Sequence, residues 1–195
     1  FSFLPLYILR FFFFILFSYN IKKEQKKQVM VFPKHILYIN KMTNGYLYCV
    51  YSEDGKPNKH FEDQFLVSYK SLKDVLPNCN VTLYTNIRFN NIYDINNIIY
   101  DENIDKRLIC KANGLLKSPY EKTILLDTDT IIHRNILNDI FEVLDEFNFT
   151  CCYGNAQPAS GTIYPDLNTG LIGVKNSPLT KKLINIWIKT YNGGN

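Results

Sequence analysis

Cysteine is sparse and badly spaced for a structural role. The five residues, Cys49, Cys79, Cys110, Cys151 and Cys152, are odd in number and contain no C-x-x-C pair. That excludes a disulfide-stapled miniprotein and argues against a zinc site. They read as small apolar residues in a reducing compartment. Charge is also modest: 21% of the 195 residues are charged and 46% are hydrophobic. This balance excludes a disordered chain and a multi-span membrane protein. A basic surface is missing too. Six basic residues (Arg10, Lys22, Lys23, Lys26, Lys27, Lys34) and one acid, Glu24, fall in residues 1–34. Of the 22 basic and 18 acidic residues in the whole chain, this leaves 16 against 17. The body is near neutral, so no nucleic-acid partner is expected. No internal repeat occurs and no Met stands at position 1. The chain is accordingly expected to be a fragment, a processed product or an over-extended reading frame.

What is present begins with an apolar stretch. Residues 1–19 are almost wholly apolar, with Phe11 to Phe14 as a continuous run. About 18 apolar residues just span a bilayer as a helix. Pro5 and Arg10 count against a clean span, since a central Arg costs about 2.5–3.5 kcal/mol on insertion scales. The Lys-rich run at 22–27 places positive charge on the following side, which favours a cytosolic body. Two expectations stand side by side. Residues 1–41 are a membrane anchor, or they are a non-native extension with Met30 or Met42 as the true start and a cytoplasmic protein behind it. Residues 42–195 form the folded domain.

Within that domain strands and helices alternate. YLYCVY (46–51) and VTLYT (81–85) read as buried strands. Between them Phe61, Phe65, Tyr69, Leu72 and Leu76 mark an amphipathic helix that stops before Pro77. Residues 86–104 are Asn-rich and carry no clear pattern. A helix is expected over 105–117, then a short strand, TILL (123–126), running into Asp127. Asn135 is placed to cap a helix reaching Phe147, with Ile136, Ile140, Val143 and Leu144 inward. Strands at 149–153 and 169–174 follow, and Ser177-Pro178 suits the start of a last helix. The alternation implies an α/β fold with a largely parallel sheet.

The chemistry concentrates at Asp127-Thr128-Asp129. In an extended chain, residues i and i+2 share a side, so both carboxylates would converge beyond the carboxyl end of a strand. A hard divalent cation resolves the repulsion between them. The bland alternative is a turn in which Asp residues serve as turn formers.

Two families use such a string. Asp127 to Thr130 resembles the D-x-D-x-T motif of haloacid-dehalogenase-like phosphatases. That family places the motif on its first strand and needs a later acidic motif, which is not found after residue 130. A broader resemblance covers residues 46–85 and 111–191. YLYCVY with SYKSLKDVLPNCNVTLYTN, KANGLLKSPYEKTILLDTDTII, and YPDLNTGLIGVKNSP resemble three ordered blocks of nucleotide-diphospho-sugar transferases of the GT-A fold, the glycogenin-like group among them. The order and spacing of three blocks is more specific than D-x-D alone.

This resemblance implies a glycosyltransferase with a GT-A (Rossmann-like) fold. It would move a sugar, most readily from a UDP-sugar, to an unknown glycan, protein or lipid acceptor. Asp127 and Asp129 match the aspartates that hold Mn²⁺ or Mg²⁺ against the diphosphate. Lys111, sixteen residues before Asp127, matches a nucleotide-contacting Lys, and Arg107 lies one turn away on the same helix. Both could equally occupy a solvated helix face. Asn168-Thr169-Gly170 matches an Asn-[Ser/Thr]-Gly block: Asn168 would bond the sugar, and Gly170 would let backbone approach it. Asp166 is a further candidate contact to the sugar, with spacing about one residue off the family's. Val50 and Tyr51 would pack on the base. A His near the C-terminus completes the metal site in relatives, yet none follows His133 here. A C-terminal truncation is therefore expected, with the His and an Asp-Gln segment lying beyond Asn195. A non-catalytic remnant that binds donor and metal without turnover is the further alternative.

Overall fold

The computed structural model describes residues 44–52, 59–89, 95–104, 109–153 and 167–193. They belong to one compact unit. Residues 1–41, and with them the candidate anchor, lie outside the described residues. Among the described residues no helix is long and apolar enough to cross a membrane.

Six strands form one sheet among these residues: β1 (Asn44–Val50), β2 (Val81–Thr85), β3 (Asn97–Tyr100), β4 (Lys122–Leu126), β5 (Phe149–Tyr153) and β6 (Leu167–Lys175). Their order is β3-β2-β1-β4-β6-β5. The first four pair in parallel, and β6 runs antiparallel to both β4 and β5. Among these residues α1 (Lys59–Val75), α2 (Ile109–Lys117) and α3 (Leu137–Glu146) lie between strands, and α4 (Pro178–Gly193) follows β6. The fold is therefore α/β with a mostly parallel sheet, as the alternation implies.

Strand alternation sorts the core onto two faces. Tyr46, Tyr48 and Val50 of β1 pack with Ile124 and Leu126 of β4 against α1 and α3. Leu47 and Leu125 point the other way, onto α2 and α4. A sheet covered on both faces needs predominantly apolar strands, and the polar residues that β2 and β4 do bury are the small Thr82, Thr85 and Thr123. Ser177 caps α4 as its sequence suggests, its Oγ accepting the Thr180 N–H at 3.1 Å.

Three expectations change. The unassigned stretch 86–104 contains the edge strand β3, whose Ile98 and Tyr100 stay partly exposed. Four residues with one solvent-facing side give too short a pattern to stand out in sequence. In α1, Phe65, Tyr69 and Leu72 are buried but Phe61 is 41% exposed. Periodicity fixes the inward side of a helix, not how far the sheet beneath it extends. In α3 the buried stripe is Leu137, Phe141 and Leu144, while Ile136 and Val143 face solvent. Asn135 does not cap it. Ile136 occupies the cap position, without a side-chain hydrogen bond. Two neighbouring apolar stripes compete on this helix. The buried one carries Phe141, which meets Tyr46 edge-on with ring centroids 5.5 Å apart.

The β3 edge is tied down by Asp101. It accepts hydrogen bonds from Lys117, from Tyr84 Oη at 2.7 Å and from the Asn103 N–H at 3.1 Å. The Lys117 bond, followed by the Tyr84 bond, holds its carboxyl below the ordinary value. A carboxyl depressed on folding stabilises fully above its unfolded value of about 3.9. That contribution is lost as pH falls through the lower folded value. Asp101→Asn should lack this share of the acid loss. Urea unfolding at pH 7 and pH 3 should show a smaller pH difference for the variant than for the wild type.

Candidate functional site

The site grows from the end of β4. The ladder between β4 and β6 extends one residue past Leu126, because the Asp127 N–H donates to Gly170 O at 2.9 Å. The chain then turns: the Thr130 N–H donates to Asp127 O at 3.2 Å, with Thr128 and Asp129 in the turn. Asp127 and Asp129 therefore do not share a side by strand alternation, as the extended reading required. The turn brings both carboxylates to the same opening. From α1, Ser68 reaches Asp127 O at 3.5 Å and shares a 3.0 Å hydrogen bond with the buried Tyr48 hydroxyl. The backbone of Asp127 is thus fixed from the sheet and from a helix.

Lys111 lies in the first turn of α2. This helix sits close to the sheet because Gly114 faces it: a Cβ there would lie 2.8 Å from Cys49 Sγ and 3.0 Å from the Tyr84 ring. The close approach carries Lys111 Nζ to 2.5 Å from Asp127 Oδ1. The same ammonium donates to Thr169 O at 3.3 Å and Thr169 Oγ1 at 3.4 Å. Its side chain is only 12% exposed, so Lys111 does not lie on a solvated helix face. Below it, Cys49 Sγ donates to the Cys110 carbonyl at 3.8 Å. A side-chain hydrogen bond with Cys110, followed by burial, pushes its thiol well above the ordinary value, leaving Cys49 a neutral packing residue.

Across from Asp127, Asn168 Oδ1 accepts the Gly170 N–H at 2.6 Å. Gly170 lies close to the ends of two polar side chains. A Cβ would lie 2.9 Å from Asn168 Oδ1 and 3.0 Å from Asp127 Oδ2. An open cleft of about 310 Å³ is lined by Asp127, Asp129, Thr130, Cys152, Asn168, Gly170 and Leu171. It lies where α/β sheets receive ligands, at the carboxyl end of a parallel strand.

Four residues singled out in sequence (Asp127, Asp129, Asn168 and Gly170) line one cleft, and Lys111 is joined to it through Asp127. Val50 is not among them. It is 2% exposed within the core and offers almost no surface to a base. Tyr51 is half-buried and packs on the α2 and α4 side of the sheet. Arg107 and Asp166 lie outside the described residues. Sequence reasoning missed Thr130, Cys152 and Leu171. Cys152 reaches the cleft through a register shift between Cys151 and Cys152, where β6 carries the extra residues Thr169 to Leu171 against β5. Two adjacent cysteines give no hint of such a shift.

Neither a protein-family model nor a curated protein matches the chain. Solved structures do. The glycosyltransferase GlyE of Streptococcus pneumoniae TIGR4 matches with a TM-score of 0.50 and 16% identity, over 77% of this chain and 40% of that one. The galactosyltransferase LgtC, solved with donor and acceptor sugar analogs, matches with a TM-score of 0.48 and 14% identity, over 77% of this chain and 66% of that one. The chain thus spans about two fifths of GlyE's length and just under two thirds of LgtC's. The likeness to GlyE shows the fold: a GT-A, nucleotide-diphospho-sugar transferase sheet flanked by helices.

Proposed function

We propose that this chain carries the donor site of a metal-dependent glycosyltransferase that takes a sugar from a UDP-sugar. One observation supports the reading most. Asp127, Asp129, Asn168 and Gly170 meet in a single cleft at the strand ends of a GT-A sheet, with Lys111 buried against Asp127.

The donor set suits Mn²⁺ or Mg²⁺. Two carboxylates facing an open cleft offer hard oxygens and leave room for water and phosphate oxygens, the usual company of such ions. Among the described residues no group of three or more His, Cys, Asp and Glu could hold a metal. Asp127 and Asp129 would therefore be its protein ligands here. Bound there, the ion would neutralise the charge left on the nucleoside diphosphate as the sugar departs.

The chain's own groups supply the rest. Lys111 adds a second positive charge beside the diphosphate. Gly170 leaves the cleft wall flat enough for close approach of the sugar. Asn168 presents an amide there, and the fixed backbone of Asp127 keeps these groups in place before the donor arrives. The acceptor is a glycan, protein or lipid. The phosphatase reading loses ground, since Asp127 follows the fourth strand rather than the first and its carboxylate is held by Lys111.

Thermal stabilisation by a panel of nucleotide sugars, with and without Mn²⁺, tests the reading. UDP-sugars should raise the melting temperature, and Mn²⁺ should enlarge the shift. No Mn²⁺-dependent shift with any nucleotide sugar would overturn it. Binding without sugar transfer would mark a remnant. A residue-level test follows from Lys111. Lys111→Ala should weaken UDP binding in the presence of Mn²⁺ by about 1.5–3 kcal/mol, the range for a hydrogen bond to a charged group. Lys117→Ala, whose ammonium is committed to Asp101, should change it far less. Calorimetric titration of both variants distinguishes the two.

A further inference from the structure

The ammonium of Lys111 has its three donors directed at three acceptors: Asp127 Oδ1 at 2.5 Å, Thr169 O at 3.3 Å and Thr169 Oγ1 at 3.4 Å. It is 12% exposed, and the Asp127 side chain is 31% exposed. A largely buried ammonium needs an anion, and Asp127 is the one that it has. Asp127 is also the better enclosed of the two carboxylates in the cleft, Asp129 being exposed. The residue best placed to seize a cation already holds one.

We propose that Lys111 is a displaceable counter-ion, which occupies Asp127 until a divalent cation and a nucleoside diphosphate arrive together. The inference rests on the donor-site reading and specifies how that site is regulated. A divalent cation and an ammonium on the same carboxylate repel each other, and low local dielectric strengthens the repulsion. Metal binding alone must therefore loosen Lys111 from Asp127 and leave its charge under-compensated. A diphosphate changes this balance. Its oxygens give Lys111 a new anion, so Asp127 is ceded at little cost. Each ligand then makes the other's binding easier, and by linkage the two effects are equal. The arrangement disfavours metal without nucleotide and keeps the acidic cleft neutralised while empty.

The test is a Mn²⁺ titration, followed by calorimetry, of the wild type and Lys111→Met, each with and without UDP. Met keeps the length of the side chain and removes the charge. Without UDP, Lys111→Met should bind Mn²⁺ at least about fivefold tighter than the wild type. The factor by which UDP tightens Mn²⁺ should fall by at least the same amount. Both figures are the lower end of ordinary coupling between sites, about 5- to 150-fold. Mn²⁺ binding no tighter in Lys111→Met, with the UDP effect intact, overturns the counter-ion role and leaves the donor site standing. A wild type that binds no Mn²⁺ with or without UDP overturns both. Circular dichroism checks the fold of the variant, and Lys111→Gln provides the same comparison if Met is not tolerated.

Discussion

Asp127→Ala and Asp129→Ala should each abolish the Mn²⁺-dependent part of UDP binding, a loss of more than about 100-fold. Removing groups that merely support a metal ligand costs 10–100-fold in affinity, and a ligand itself should cost more. The two variants should differ in what survives. Asp129→Ala leaves Asp127 in place, and with it the 2.5 Å ion pair to Lys111. That lysine then stays occupied, and UDP should bind weakly whether or not Mn²⁺ is added. Asp127→Ala deprives Lys111 of its anion while the ammonium stays 12% exposed. A diphosphate becomes its natural replacement, so metal-free UDP binding should survive and could exceed that of the wild type. Calorimetry with UDP, in Mn²⁺ and in EDTA, separates these outcomes. If Mn²⁺-dependent binding stayed unchanged in both variants, neither carboxylate would be a metal ligand.

The contrast shows what the sequence could and could not convey. The pair of aspartates was visible because it follows a short apolar strand. Its geometry was not, because the route from extended strand to turn is set by a hydrogen bond between Thr130 and Asp127. Lys111 could be flagged by its offset but not distinguished from a solvated residue. Its burial depends on Gly114, which lets α2 close onto Cys49 and Tyr84, a contact between elements far apart in the chain. The alternation of strands and helices gave the fold class, since parallel strands buried on both faces are predominantly apolar. The antiparallel entry of β6 beside β4 left no such mark, yet it delivers Asn168, Thr169 and Gly170 to Asp127. In α3 two apolar stripes exist, and the one that is buried packs into the core cluster, with Phe141 edge-on to Tyr46.

A large loss of stability is expected from Gly45→Ala, at the start of β1. A Cβ there would fall inside the contact distance of the Tyr120 ring. Tyr120 is fully buried, and its hydroxyl accepts a hydrogen bond from Thr82 Oγ1 at 2.8 Å. Its backbone carbonyl accepts one from Asn176 Nδ2 at 3.4 Å. The ring cannot withdraw without giving up the Thr82 bond and its place in the core, so β1 must shift instead. Overpacking of this kind costs about 1–3 kcal/mol and sometimes more, and the rigidity of Tyr120 places this case at the upper end. The shift would propagate, because Gly45 pairs with Thr123 and Tyr48 with Leu126 in the same parallel ladder, one residue before Asp127. Gly45→Ala should therefore lower the urea midpoint and also weaken Mn²⁺-dependent UDP binding in the protein that remains folded. Tyr120→Ala alone should be costly as well, since emptying an aromatic site loses about 3–5 kcal/mol. Combining the two should cost less than their sum, because removing the ring makes room for the methyl group. A coupling of about 0.5–3 kcal/mol is expected for residues in direct contact. Strictly additive losses would mean that the ring does not constrain Gly45, and that β1 holds its register against β4 by other contacts.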